Sequence, residues 1–78
     1  MSDVQIASFI VRARADDAAE VAGRIARMEG TEIHAIEDGK IIVVVEAPSE
    51  RQLADRMDAL GREPGVLLVN LVYHQRDV

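Results

Sequence analysis

The chain has 78 residues, no cysteine and a formal net charge of −5. This length predicts one domain, residues 1–78, and the missing cysteines exclude disulfides, thiolate metal sites and thiol nucleophiles. Acidity disfavours nucleic acid, whose phosphates attract basic surfaces. No apolar run approaches the roughly 18–20 residues needed to cross a bilayer, and no secretory signal pattern begins the chain. We therefore expect a cytoplasmic protein without membrane insertion.

The first part of the chain predicts a strand, a helix and a second strand. Val4–Ala13 alternates between apolar and polar residues and is rich in β-branched types, which is typical of a strand. Asp16 or Asp17 can cap a helix, in which apolar residues then recur at helical spacing as far as a stop at Gly30. A second strand is predicted from Thr31–Ile36.

The segment EDGK after the second strand predicts a hairpin turn, which allows two registers. A plain two-residue turn would pair Ile36 with Ile41, whereas a type I turn closed by Gly39 shifts the pairing by one residue. We favour the second register, because it places Ile33 and Ala35 on the same face as the alternating apolar residues of the third strand.

The rest of the chain predicts a strand, a helix and a final strand. Lys40–Ala47 is an apolar strand that ends at Pro48. Ser49 caps a second helix, which Gly61 closes. The apolar segment Val66–His74 is the fourth strand.

The predicted order is therefore β-α-β-β-α-β, with right-handed crossovers through the helices. This order predicts an α+β ferredoxin-like sandwich, with an antiparallel sheet in the order 4-1-3-2 and two helices on one face.

Alternation along the four strands assigns each side chain to one of the two faces of the sheet. The helix side receives Ala7, Phe9, Val11, Ile33, Ala35, Ile41, Val43, Val45, Val69, Leu71 and Tyr73. The opposite face receives Ile6, Ser8, Ile10, Arg12, His34, Ile36, Ile42, Val44, Glu46, Leu68, Asn70, Val72 and His74. That second face carries an apolar band, and patches of this kind mark docking or self-association surfaces.

The sequence contains no recognisable catalytic or metal-binding pattern. His34 and His74 are the only histidines, and they are predicted on the two edge strands, too far apart to share a metal ion. The glycines are isolated and form no phosphate-binding loop. We expect neither an enzyme nor a protein with a cofactor or a metal of its own.

Three segments carry a resemblance to a known family. IIVVVEA (Ile41–Ala47), GVLLVNLVYHQ (Gly65–Gln75) and ASFIVRAR near the first strand resemble the NapD family of assembly chaperones. The resemblance implies a cytoplasmic chaperone that binds the twin-arginine signal peptide of the catalytic subunit of periplasmic nitrate reductase. It implies that twin-arginine (Tat) export is delayed until cofactor insertion into that subunit is complete.

On the basis of this resemblance, we expect the signal peptide to bind as an amphipathic helix across the second face of the sheet. Apolar residues would cover its apolar side, Glu46 would pair with an arginine, and polar side chains would orient it. The predicted peptide-binding residues are Ser8, Ile10, His34, Ile42, Val44, Glu46, Leu68, Asn70, Val72 and His74.

Two other interpretations of the sequence remain open. Regulatory modules of the ACT type share the predicted topology and often carry a PGV turn before a strand, as Pro64–Val66 does here. Such a module would bind a small molecule. A pure oligomerisation domain is the third possibility, and the free protein is expected to be a monomer or a weak homodimer.

Overall fold

A computed structural model describes residues 4–77 of the chain, with side chains described for residues 4–72. The elements are β1 (Val4–Ala13), α1 (Ala18–Ile25), β2 (Thr31–Glu37), β3 (Lys40–Ala47), α2 (Glu50–Arg62) and β4 (Val66–Asp77), with a short 3-10 turn at Ala15–Asp17 before α1. Within the described residues, neither helix is long and apolar enough to span a membrane.

The four strands form one antiparallel sheet in the order β2-β3-β1-β4. This is the predicted order 4-1-3-2 counted from the other edge, so the ferredoxin-like topology is confirmed. β1 and β3 are central, and buried residues alternate with half-buried or exposed ones along the whole length of each strand. A strict period of two, with one face covered by helices, explains this pattern.

The core lies between this sheet and the two helices. Its largest fully buried side chains come from β1, β3 and both helices, which shows that both helices pack on the same side. The buried apolar residues are Ala7, Phe9, Val11, Ala13, Ala18, Val21, Ala22, Ile25, Ile41, Val43, Val45, Ala47, Leu53 and Leu60. Aliphatic side chains thus fill most of the core, as the scarcity of aromatic residues requires.

The helices begin close to where the sequence places them. Ser49 caps α2 as predicted, because its Oγ accepts a hydrogen bond of 3.1 Å from the backbone N–H of Gln52. Asp17 precedes α1, but its side chain makes no capping hydrogen bond. α1 ends at Ile25, well before the predicted stop at Gly30, and turns of the chain connect it to β2.

The hairpin between β2 and β3 adopts the register that we did not favour. Ile36 pairs with Ile41, and the two turn residues Asp38 and Gly39 both have positive φ, at 48° and 80°. Two left-handed residues make a type I′ turn, whose twist matches that of the flanking strands. Our preference for a type I turn was therefore wrong.

A bulge inside β2 places Ile33 on the same face as the core residues of β3, which is the grouping that the predicted type I turn was meant to explain. The register changes between Ile33, which pairs with Val43, and Ala35, which pairs with Ile42. His34 is the extra residue of this bulge. Ile33 accordingly packs against the core as predicted. Ala35 and Ile36, however, exchange faces relative to the prediction, because the bulge inverts the alternation after His34.

The register of β4 also shifts, once between Arg12 and Ala13 and once between Ser8 and Phe9 of the neighbouring β1. The first shift leaves Leu67 without a partner in β1, and the second leaves Val72 without one. Beyond the second shift, Tyr73 pairs with Ser8 and His74 with Ala7. The alternation that assigned those two residues to faces is thus interrupted, and their side chains lie outside the described part of the chain.

Candidate functional site

The candidate site is the face of the sheet opposite the helices, which we call the open face. Cross-strand pairing defines it, because residues directly opposite each other in adjacent strands project to the same side. In the described residues it comprises Val4, Ile6, Ser8, Ile10 and Arg12 of β1, Glu32, Ala35 and Glu37 of β2, Lys40, Ile42, Val44 and Glu46 of β3, and Leu68 and Asn70 of β4.

The centre of the open face is apolar. Ile10 pairs with Ile42 and Ser8 pairs with Val44, so four of the predicted binding residues meet in the two central strands. All four are half-buried although no helix covers them, because neighbouring strands shield their flanks. Asn70 of β4 lies beside this centre, opposite Ile10. The structure therefore brings together the predicted apolar contact surface and two of its predicted polar groups.

Carboxylates border one end of this apolar centre. Glu46 pairs with Ile6, and Glu32 pairs with Val44 on the outer side of the sheet. Both glutamates are exposed. Arg12 and Lys40 pair with each other at the opposite end of the face, where Glu37 also pairs with Lys40. Lys40 and Glu46 are six residues apart on one strand, which corresponds to roughly 20 Å. The open face consequently has an acidic end and a basic end, at which two cations outweigh the single carboxylate of Glu37.

The backbone of Glu46 is held on both sides. Its N–H donates a hydrogen bond of 2.7 Å to the carbonyl oxygen of Gly30, and its own carbonyl accepts one of 3.1 Å from Nη1 of Arg56. The same Nη1 donates to the carbonyl of Glu29. Gly30 has a φ of +74°, and a Cβ there would overlap the Glu46 carbonyl. The helix side thus fixes the position of the acidic end of the open face.

Glu32, Gly30 and Arg56 are site-forming residues that the sequence analysis missed. Glu32 was detectable, because it precedes His34 by two residues and alternation places the two on one side of a strand. Gly30 was interpreted only as a helix stop. No pattern in the sequence indicated a role for Arg56, since its contacts with the carbonyls of Glu29 and Glu46 join segments that are distant in sequence.

His34 lies at the outer margin of the site rather than over its centre. It is the bulged residue of β2, and its Nε2 lies 3.9 Å from Oε2 of Glu32. The two side chains are 54% and 75% exposed, respectively, so this contact is a surface contact of small energetic weight. In this position His34 can orient Glu32 or meet the edge of a bound molecule.

The remaining predicted residues lie toward the β4 edge. Leu68 pairs with Arg12 and is exposed, and Val72, at the second bulge, is also exposed. They continue the apolar surface to the margin of the sheet. The side chain of His74 lies outside the described residues, so its predicted contact stays a prediction. Among residues with described side chains, no three His, Asp or Glu converge to hold a metal ion.

The open face is therefore suited to covering an amphipathic segment. It offers half-buried apolar side chains in the middle, hydrogen-bonding groups beside them and charges of opposite sign at its two ends. Apolar contact supplies most of the energy of such a surface, while the charged ends select and orient what binds.

Comparison with known proteins assigns the chain to a family. The family model described as "NapD protein" matches residues 4–78. A chaperone NapD from Paracoccus pantotrophus is 39% identical over 92% of this chain, which spans 64% of that relative's length. A chaperone NapD from Escherichia coli K12 is 33% identical over 94% of this chain and 86% of its own.

Solved structures agree with this assignment. The solution structure of the E. coli Tat proofreading chaperone NapD superposes with a TM-score of 0.86 at 31% identity, covering 92% of this chain and 78% of that one. The ACT domain of the GTP pyrophosphokinase of Chlorobium tepidum superposes with a TM-score of 0.58 at 19% identity, covering 92% and 89% of the two chains. That second likeness shows a shared fold alone. The chain belongs to the NapD family, which is a family of chaperones and not of enzymes.

Proposed function

We propose that this chain is a cytoplasmic chaperone whose open face binds the twin-arginine signal peptide of the catalytic subunit of a periplasmic nitrate reductase. Binding would delay Tat export until cofactor insertion into that subunit is complete. The observation that carries the proposal is the open face itself, with its apolar centre and an acidic end formed by Glu46 and Glu32. Membership of the NapD family supports it.

The dimensions of the open face suit a short helix. The distance of roughly 20 Å between its charged ends equals the length of an α-helix of about 13 residues. A twin-arginine signal combines a basic segment with an apolar one, which can form an amphipathic helix on a surface of this kind. The apolar residues would cover Ile10, Ile42 and Val44, and the arginines would lie near Glu46.

The expected affinity is moderate. Covering roughly 300 Å² of apolar surface at about 25 cal/mol per Å² contributes about 7.5 kcal/mol. Ordering a flexible peptide costs about 2–5 kcal/mol of this. Charge-assisted hydrogen bonds to Glu46 and Glu32 add to the remainder. The balance favours a reversible complex, as a chaperone that must release its client requires.

The proposed delay of export follows from occlusion. A signal peptide lying on the open face presents its arginines to Glu46 and Glu32 and its apolar side to the sheet, so neither feature is free for the translocon. Release exposes both together. The chain itself supplies no chemistry in this scheme and acts by covering and uncovering the peptide.

Titration calorimetry with a synthetic twin-arginine peptide from the partner reductase tests the proposal. We expect measurable heat, together with NMR shift changes concentrated at Ile10, Ile42 and Val44. A matched peptide with both arginines replaced by glutamine should bind more weakly by about tenfold, because it loses two charge-assisted contacts. Absence of heat and of shift changes on the open face would show that the proposal is wrong.

A parallel thermal-shift screen with amino acids covers the alternative of an ACT-type module. Stabilisation by an amino acid without any response to the peptide would favour a small-molecule module instead. The likeness to the ACT domain shows only a common fold, so we expect no stabilisation by amino acids.

The export step needs a separate measurement. A reporter carrying the partner's signal peptide should be exported more slowly when this chain is co-expressed, and a variant that cannot bind the peptide should not slow it. If the peptide binds in vitro but export of the reporter is unchanged, this chain binds the signal peptide without delaying export.

A further inference from the structure

The two edges of the sheet are built differently. The β2 edge carries Glu32, His34 and Glu37 and is interrupted by a bulge. The β4 edge carries no charged residue from Val66 to Val72. An edge strand presents unpaired backbone N–H and C=O groups, and proteins commonly protect such edges with charges. β2 has that protection, whereas the first half of β4 relies on its two bulges alone.

Exposed apolar side chains are concentrated at the same edge. Among the described side chains, the large hydrophobic residues that are exposed lie on β4 with a single exception, Ile36. On β4 they are Leu67 at 67%, Leu68 at 49%, Leu71 at 51% and Val72 at 58% exposed. A contiguous apolar strip along an unpaired strand edge is typical of a surface at which another strand adds to the sheet.

The apolar strip continues onto α2. Two open cavities of about 300 Å³ each lie between α2 and β4. One is lined by Met57, Asp58, Gly61 and the first residues of β4. The other is lined mainly by apolar residues, with Glu50 as its one charged side chain. Ala54, an apolar residue of α2, is exposed. The groove therefore has room for side chains from a second molecule beside the strand.

The charges of α2 fit a second copy of the same helix. Glu50 and Arg51 begin α2, Arg62 ends it, and Glu63 follows. A two-fold axis perpendicular to the sheet near Val69 would run α2 antiparallel to its copy. Glu50 would then lie toward Arg62 of the second copy, and Arg51 toward Glu63 of the second copy. Oppositely charged residues would thus meet at one end of the helix pair, and the two-fold symmetry would repeat the same pairs at the other end.

We propose that two copies of this chain associate through antiparallel pairing of their β4 edges. The two four-stranded sheets then form one continuous sheet, with all helices on one side and both open faces uncovered on the other. The observations favour a second copy as the occupant, because the strand itself carries no charge from Val66 to Val72 that would select a charged partner, while the ends of α2 are complementary to themselves. The proposal does not depend on the peptide-binding function.

The contact is small, so the association is reversible. Seven residues of strand edge span roughly 24 Å. With the flank of α2, the contact covers roughly 400 Å² on each copy, which lies at the low end for specific interfaces. The dimer is therefore expected to form with a dissociation constant on the order of 100 μM.

Sedimentation velocity from about 20 μM to about 1 mM tests the proposal, because this range brackets the expected dissociation constant. We expect the dimer fraction of the native chain to rise with concentration. Leu67→Lys, at an exposed position that packs in no core, should abolish the rise. Ile36→Lys is the matched control at the β2 edge and should leave it unchanged. A native chain that stays monomeric throughout, or a Leu67→Lys variant that dimerises normally, would overturn the proposal.

A charge exchange tests the two-fold arrangement. Arg62→Glu should weaken the dimer by about threefold to tenfold, since it places like charges together at both ends of the helix pair. Adding Glu50→Arg to that variant should restore the association. A double variant as weak as the single one would refute the antiparallel arrangement. Loss of association in Val44→Asp, with Leu67→Lys unaffected, would show instead that the copies meet through their open faces.

Discussion

Val43 and Val44 are identical neighbours in the same strand with opposite environments. Val43 is fully buried beneath the helices, whereas Val44 is half-buried on the open face. Across the strands, Val43 pairs with Phe9 and Ile33, whereas Val44 pairs with Ser8 and Glu32. The difference teaches that an apolar side chain in a central strand has no fixed role. Its role depends on whether the protein itself covers that face.

The strongest test of this contrast is Val43→Asp. Burying an unpaired carboxylate in the core should cost more than about 4 kcal/mol. For so small a domain that is most of the free energy of unfolding. We expect a largely unfolded chain by far-UV circular dichroism and urea titration. A variant with the native melting curve would show that the two faces of β3 are assigned the wrong way round.

The matched change on the other face, Val44→Asp, should leave the fold intact. Its carboxylate remains accessible to water, so the free energy of unfolding should change by less than about 1 kcal/mol. Affinity for the twin-arginine peptide should fall at least about tenfold, because binding would bury that carboxylate. Calorimetry and urea titration of the same sample measure both effects.

Ala19→Asp provides the control for added negative charge, since Ala19 is exposed on α1, away from the open face. It should bind the peptide as the native chain does. Equal losses of affinity in Ala19→Asp and Val44→Asp would argue that net charge, and not the open face, governs binding.

The acidic end of the open face should contribute a smaller effect. Glu46→Gln keeps the size of the side chain and removes its charge, so affinity for the twin-arginine peptide should fall about fivefold. The dependence of affinity on salt should also decrease, because one exposed charge pair is lost. Glu63→Gln, the same exchange outside the open face, is the matched control and should leave the affinity for the peptide unchanged.

The smallest expected effect is at the basic end. Arg12→Gln removes a cation that repels the basic segment of the peptide from roughly 20 Å, and screening leaves little of that repulsion. Affinity should rise by no more than about twofold at low salt, with no change at high salt. A clear decrease would mean that Arg12 contacts the peptide directly.

Much of the fold could be predicted because it depends on local patterns. The alternation in Val4–Ala13 and Lys40–Ala47 produced the two central strands with the bounds that the structure has. Ser49 caps α2 as its residue type and position indicated. The element order then led to the confirmed sheet topology, since handedness and short connections leave few alternatives.

The predictions that were wrong concern the hairpin between β2 and β3, where local rules compete. A type I′ turn at Asp38 and Gly39 and a bulge at His34 together satisfy both the twist of the hairpin and the burial of Ile33. From the sequence, a single shifted turn satisfied burial equally well. Deciding between the two requires the energy of the whole paired sheet, because a bulge anywhere in the strand restores the apolar register.

The candidate site was likewise predicted only in part. The apolar residues Ile10, Ile42 and Val44 were predicted from alternation, which is intrinsic to a strand. The acidic end depends on contacts between distant segments, since Gly30 and Arg56 hold the backbone of Glu46 from the helix side. No periodicity in the sequence encodes those contacts.

The sequence by itself determined the element order, the ferredoxin-like sheet and the two apolar faces of its central strands, because side-chain period and chain handedness act locally. Only the tertiary structure decided where bulges in β2 and β4 interrupt the alternation between the two faces, and which contacts from the helix side hold the acidic end of the open face. Those properties arise when segments distant in the chain pack together, and packing depends on the shape and charge of all of them at once.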